Sequence, residues 1–144
     1  MRWNVMGKYS GDIALSKAWD ILTNSPNSFL IDVRTIEECI FVGAPWLKEI
    51  GKETVHMPWR LFPNMEINPH FITGITKIVP DINSELLFIC RSGARSGEAA
   101  QNLAEHGYKY CYNITEGFEG NLNNKYQRGN LSGWKAANLP WRQN

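Results

Sequence analysis

One stretch constrains this chain more than any other: an uninterrupted apolar run that passes into a short polar turn and then into an amphipathic helix, Leu86-Leu87-Phe88-Ile89-Cys90-Arg91-Ser92-Gly93-Ala94-Arg95-Ser96. A strand apolar at every position, not at alternate ones, has to be covered on both faces, which is the condition of a strand inside a parallel sheet flanked by helices. From Ser96 to His106 the positions Ala99, Ala100, Leu103 and Ala104 form an apolar stripe at helical spacing, and Gly107 stands where a left-handed stop is expected. The rest of the chain must therefore supply further strands and two helical layers.

It does so by alternation. Further strand candidates are Phe29 to Val33, Glu53 to Met57 and Tyr108 to Asn113, with a weaker one before Asp12. Between them lie helical patterns: Ala14, Ala18, Ile21 and Leu22 ahead of Asn24-Ser25-Pro26, and Ile67 to Val79 with Phe71, Ile75 and Ile78 on one face. The alternation predicts an α/β fold. From Glu116 to Asn130 the chain turns rich in glycine, asparagine and charge, which predicts a structured loop or short helical turns, while Trp134 and Trp141 predict that the tail packs back on the body.

With 144 residues, the expectation is one domain over 1–144. Fifteen Lys and Arg against fourteen Asp and Glu leave a formal charge of +1, which provides no summed field to recruit nucleic acid or an anionic membrane. Lys8, Asp12, Lys17 and Asp20 interrupt the first thirty residues, which argues against a signal peptide, and no later run approaches membrane-spanning length. Cys39, Cys90 and Cys111 are odd in number and include no Cys-x-x-Cys pair, so neither a disulfide framework nor a metal site is expected. A reducing, cytoplasmic setting fits such thiols, with Cys39 and Cys111, which lack adjacent cations, read as packing residues.

Cys90 differs from these. It stands beyond the carboxyl end of a buried strand, where ligand sites of α/β sheets gather. Backbone N–H groups of a loop curling onto a helix N-terminus have no intrahelical partner and converge on the loop's centre. The helix dipole, Arg91 and Arg95 add positive potential, so a thiol there is expected to carry a larger thiolate fraction near neutral pH. Ser92, Gly93 and Ala94 are small enough for a tight turn, and Ser92 and Ser96 can each donate a hydrogen bond.

Cysteine, four intervening residues and a closing arginine, here Cys90 and Arg95, resembles the active-site loop of the rhodanese family. Supporting similarities are Leu30-Ile31-Asp32-Val33-Arg34, Glu116-Gly117-Phe118-Glu119-Gly120 and Gly133-Trp134-Lys135-Ala136-Ala137-Asn138-Leu139-Pro140-Trp141, the last two resembling a subgroup of small bacterial rhodaneses. The resemblance runs from about Ala14 to Trp141. It departs where many rhodaneses carry Gly-His-Ile-x-Gly-Ala: here Val42-Gly43-Ala44-Pro45-Trp46 is followed by a longer stretch to Val55-His56-Met57-Pro58-Trp59.

The resemblance implies a rhodanese-like fold, with a central, mostly parallel five-stranded sheet and helices on both faces. It implies a sulfurtransferase without cofactor, in which Cys90 takes sulfane sulfur from a donor such as thiosulfate and passes it to cyanide or a thiol, including a protein thiol. Arg91 would hold the anionic donor. Ser92, Gly93, Ala94, Arg95 and Ser96 would complete the binding loop, with Arg95 bracing it through Asp32 or a nearby carboxylate, and Asp32 and Arg34 in support. Two alternatives compete. One is a persulfide relay or partner-binding module with little turnover of its own. The other is a cysteine phosphatase or arsenate reductase, whose loops have one more residue between cysteine and arginine, a wider cradle suited to a tetrahedral oxyanion.

Overall fold

Each strand of the central sheet is separated from the next by enough chain for a crossover, and all four pairings are parallel. The computed structural model describes residues 8–143. In chain order these form β1 (Gly11–Ile13), α1 (Leu15–Asn24), β2 (Ser28–Asp32), α2 (Ile36–Val42), β3 (Ala44–Pro45), β4 (Val55–His56), β5 (Arg60–Leu61), β6 (Glu66–Ile67), α3 (Phe71–Ile78), β7 (Glu85–Ile89), α4 (Ala94–Glu105), β8 (Tyr110–Ile114) and β9 (Trp141–Arg142). The sheet order is β1-β8-β7-β2-β4, and two small antiparallel ribbons, β3 with β9 and β5 with β6, lie outside it.

The apolar run of β7 divides by strand periodicity into two cores. Leu86 and Phe88 pack on one face with Phe71 and Ile75 of α3 and with Ala99, Ala100 and Leu103 of α4. Leu87 and Ile89 pack on the other with Leu15, Ala18 and Leu22 of α1, and with Phe118 and Trp134 from the tail. Each such side chain fully withdrawn from water contributes about 1.5–3 kcal/mol, so β7 is held between layers and its end cannot shift without cost on both sides. The tail packs as its tryptophans predict: Trp134 is fully buried, and Trp141 stacks edge-on against Phe118.

Several expectations shift. The strand expected over Glu53 to Met57 contracts to β4, and the helix expected from Ile67 begins only at Phe71, because Glu66–Ile67 pairs with Arg60–Leu61. Helix α4 starts at Ala94, two residues before the expected start at Ser96, since Gly93 at φ 108 turns the chain directly into it. The fifth strand straddles Asp12 instead of preceding it. Helix α2 is not foretold by periodicity, as none of its residues is buried. It rests on its cap: the Thr35 side chain accepts from the Glu38 N–H while Glu38 accepts from the Thr35 N–H.

Candidate functional site

Cys90 follows the last residue of β7, and its side chain is held from two sides. The Gly93 N–H donates to Sγ at 3.1 Å, and the Ser96 hydroxyl lies 3.2 Å from it. Ser96 is itself fully buried, 2.5 Å from Oδ1 of Asn113 on β8, and the Asn113 amide donates to the Gly93 carbonyl and to Asp12 Oδ1, both at 3.1 Å. Because the amide nitrogen is committed to two acceptors, its oxygen faces Ser96 and receives that hydroxyl's proton. This leaves a Ser96 lone pair toward a protonated thiol, and one rotation of the hydroxyl presents a donor to a thiolate. The first amides of α4, from Ala94 on, have no intrahelical partner and add to the loop's positive potential.

The loop is closed by charge. Arg95 donates to both oxygens of Glu38, at 2.6 and 2.9 Å, across to the capping turn of α2. The carboxylate that braces Arg95 is Glu38 and not Asp32, the residue named for it from the sequence. Asp32 is occupied by Arg34, through Nε at 2.9 Å and Nη2 at 2.7 Å, in a pair that is almost wholly buried. The cap therefore has a second consequence, since the carboxylate that starts α2 also braces the Cys90 loop. Burial pushes the Glu38 carboxyl up, but the hydrogen bonds and charge of Arg95, together with the hydrogen bonds from Thr35, outweigh it and hold Glu38 below its ordinary value. A carboxyl lowered by folding stabilises the protein above its unfolded value of about 4.3 and loses that contribution as the pH falls through its folded value. Glu38→Gln, which keeps the capping box, should cost about 1–3 kcal/mol at neutral pH, and denaturant titrations should show the gap to wild type closing as the pH is lowered.

A strap from the tail supports the loop from behind. The N–H groups of Phe118, Glu119 and Gly120 donate to the carbonyls of Cys90 and Arg91 at 2.8, 3.0 and 3.1 Å. Gly117, at φ 70, lies so close that a Cβ there would stand 2.4 Å from the Arg91 carbonyl oxygen. Arg34 stacks on the strap, its guanidinium 4.2 Å from the Phe118 ring centre. Asp32 and Arg34 are thus tied to Cys90 through Phe118. Arg91 is exposed at the mouth, whereas Ser92 and Gly93 are half-buried in the turn.

Asn113, Glu38 and Gly117 were absent from the sequence's candidate set. Glu38 was signalled only as the fourth residue of a Thr-x-x-Glu cap, and Asn113 only as an amide inside an apolar strand. Burial pushes the Cys39 and Cys111 thiols each up to about 12, and the nearby Asp32 carboxylate adds to this at Cys39. Iodoacetamide at mildly alkaline pH should therefore leave both unmodified in the native protein, a result read by peptide mapping.

With strand, loop, arginine and strap in place, comparison with known proteins decides the family. The rhodanese-like domain matches residues 15–124. The chain belongs to this family. A Rickettsia rickettsii relative, called uncharacterized protein RP600 homolog, is 42% identical over 90% of this chain and 95% of its own. The crystal structure of Rv0390 from M. tuberculosis superposes with a TM-score of 0.85 at 38% identity, covering 95% of this chain and 100% of that one. The thiosulfate:glutathione sulfurtransferase of Saccharomyces cerevisiae is 34% identical over 59% of this chain and 58% of its own length. The rhodanese fold expected from the sequence, with its five-stranded parallel sheet between helices, is the one observed. Among the described residues no helix is long and apolar enough to cross a membrane, and no cluster of His, Cys, Asp and Glu is arranged to hold a metal ion.

Proposed function

We propose that this rhodanese-like protein is a sulfurtransferase that carries sulfane sulfur as a persulfide on Cys90. The observation behind this reading is the placement of Sγ, held by the Gly93 N–H at 3.1 Å and the Ser96 hydroxyl at 3.2 Å at the mouth of a helix N-terminus. The Gly93 N–H donates to an anionic sulfur as it stands, and the Ser96 hydroxyl adds a second donor once it rotates away from Asn113. The Cys90 thiolate attacks the outer sulfur of thiosulfate, the S–S bond of the donor breaks, and sulfite leaves with the electron pair. An acceptor thiolate or cyanide then attacks the outer sulfur of the persulfide, and Cys90 departs as the thiolate.

In this scheme Arg91 attracts the anionic donor, while Ser92, Gly93, Ala94 and Ser96 line the cradle and Arg95 keeps it closed. The bond from Arg95 to Glu38 commits that guanidinium to bracing, so direct donor contact falls to the exposed Arg91. Three unpaired thiols suit a reducing, cytoplasmic location. The four-residue spacing from Cys90 to Arg95 makes the loop tighter than that of a cysteine phosphatase, which favours sulfur over a tetrahedral phosphoryl group. The test is intact-protein mass spectrometry after thiosulfate treatment. One added sulfur on the folded protein is the expected result, and an unchanged mass would sink the thiosulfate reading.

A further inference from the structure

A cavity of about 680 Å³ adjoins the Cys90 loop, which contributes Arg91 and Arg95 to its wall. Sites of this size hold molecules far larger than thiosulfate or cyanide. Its rim includes Phe41, Phe62, Leu122 and Tyr126, which are 76%, 62%, 45% and 85% exposed. They come from three separate parts of the chain: α2, the turn between β5 and β6, and the loop after the strap. Large apolar side chains gathered around one opening mark a recognition surface, whereas scattered ones do not.

Two further features indicate that this exposure is built. Met65 at φ 57 and Tyr126 at φ 61 line the cavity, and they are two of the three non-glycine residues with positive φ among the described residues. Around Tyr126 the loop is pinned, with the Asn123 side chain accepting from the Lys125 and Gln127 N–H groups at 2.9 and 3.0 Å and the Asn123 N–H donating to the Gln127 carbonyl at 2.8 Å. Backbone strain held by its surroundings in this way clusters at ligand sites. The charges of the wall cancel, Arg91, Arg95 and Arg128 against Glu37, Glu38 and Glu119. A strongly charged acceptor therefore gains nothing in total, and the apolar rim decides.

We propose that this cavity is the acceptor site, and that the acceptor is a cysteine thiol in a polypeptide segment of low net charge with large apolar side chains beside the cysteine. The proposal rests on the Cys90 persulfide reading. The peptide thiolate attacks the terminal sulfur, the bond from that sulfur to Cys90 Sγ breaks, Cys90 leaves as the thiolate, and the peptide departs as its persulfide.

The experiment loads the protein with thiosulfate or inorganic polysulfide, confirms the added sulfur by intact mass, and then follows its loss to two synthetic peptides of equal net charge. In one the cysteine is flanked by leucine and tryptophan, in the other by serine and asparagine. The apolar peptide should discharge the wild-type persulfide at least about tenfold faster, and in the Phe41→Ser/Tyr126→Ser protein the ratio should fall to roughly twofold or less. Phe62→Ser offers an independent reading of the same ratio. Equal rates in wild type, or a preference that survives all three substitutions, would overturn the acceptor site while leaving the Cys90 reading intact. A folded chain that takes up no sulfur from either donor overturns both.

Discussion

Cys90→Ser should take up no sulfur from thiosulfate and should transfer sulfur to cyanide at a rate lower by about 10⁴-fold or more, the scale on which loss of a nucleophile acts. The substitution is a demanding test because it changes one atom and little else. Cys90 is only 1% exposed, and serine is small enough to keep its place between the Gly93 N–H and the Ser96 hydroxyl. The melting temperature should stay near that of wild type, and the mass after thiosulfate treatment should not change. An added sulfur on the serine protein would move the sulfur-carrying role to Cys39 or Cys111. Their thiols, pushed up to about 12 by burial, are poorly suited to it.

The largest effect on stability should come from Arg34→Met. Arg34 is fully buried and Asp32 is 1% exposed, and each supplies the opposite charge that compensates the other. Burial works against the Arg34 charge, but the hydrogen bonds and charge of Asp32 outweigh it and hold the guanidinium above its ordinary value. Removing the cation alone strands a carboxylate in the interior, which costs about 3–5 kcal/mol. Replacing both partners, Asp32→Leu with Arg34→Met, should cost clearly less, because no uncompensated charge remains. Denaturant unfolding of the two single variants and the double variant measures this coupling. A double variant as unstable as the sum of the singles would show that the pair contributes through its separate packing contacts. Arg34→Met should also slow sulfur loading, since Phe118, on which Arg34 stacks, ties the strap to the Cys90 carbonyl.

What could be read directly from the chain was whatever is local or periodic. The run from Leu86 to Ile89 declared a strand buried on both faces, and its alternate side chains do feed two cores. The helix after Cys90 was legible from its alanine and leucine stripe. Helix α2 was not, because none of its residues is buried and no stripe records it. The late start of α3 was hidden for a related reason: Glu66 and Ile67 are drawn into a ribbon with Arg60 and Leu61, a pairing that helical periodicity does not register.

The sequence by itself determined the sulfur chemistry proposed for this protein, because Cys90, the turn and the head of α4 are consecutive and strand-to-helix geometry brings them together wherever the rest of the chain goes. Only the tertiary structure decided what holds that loop. Glu38 reaches Arg95 across 57 positions, Asn113 reaches Ser96 from β8, and the strap reaches Cys90 from beyond the last strand of the sheet. Glu38 and Asn113 are each one polar residue among several of their kind, the strap acts through backbone N–H groups, and charge and hydrogen-bond partners are chosen by distance in space. The order β1-β8-β7-β2-β4 sets those distances, and no local pattern encodes it.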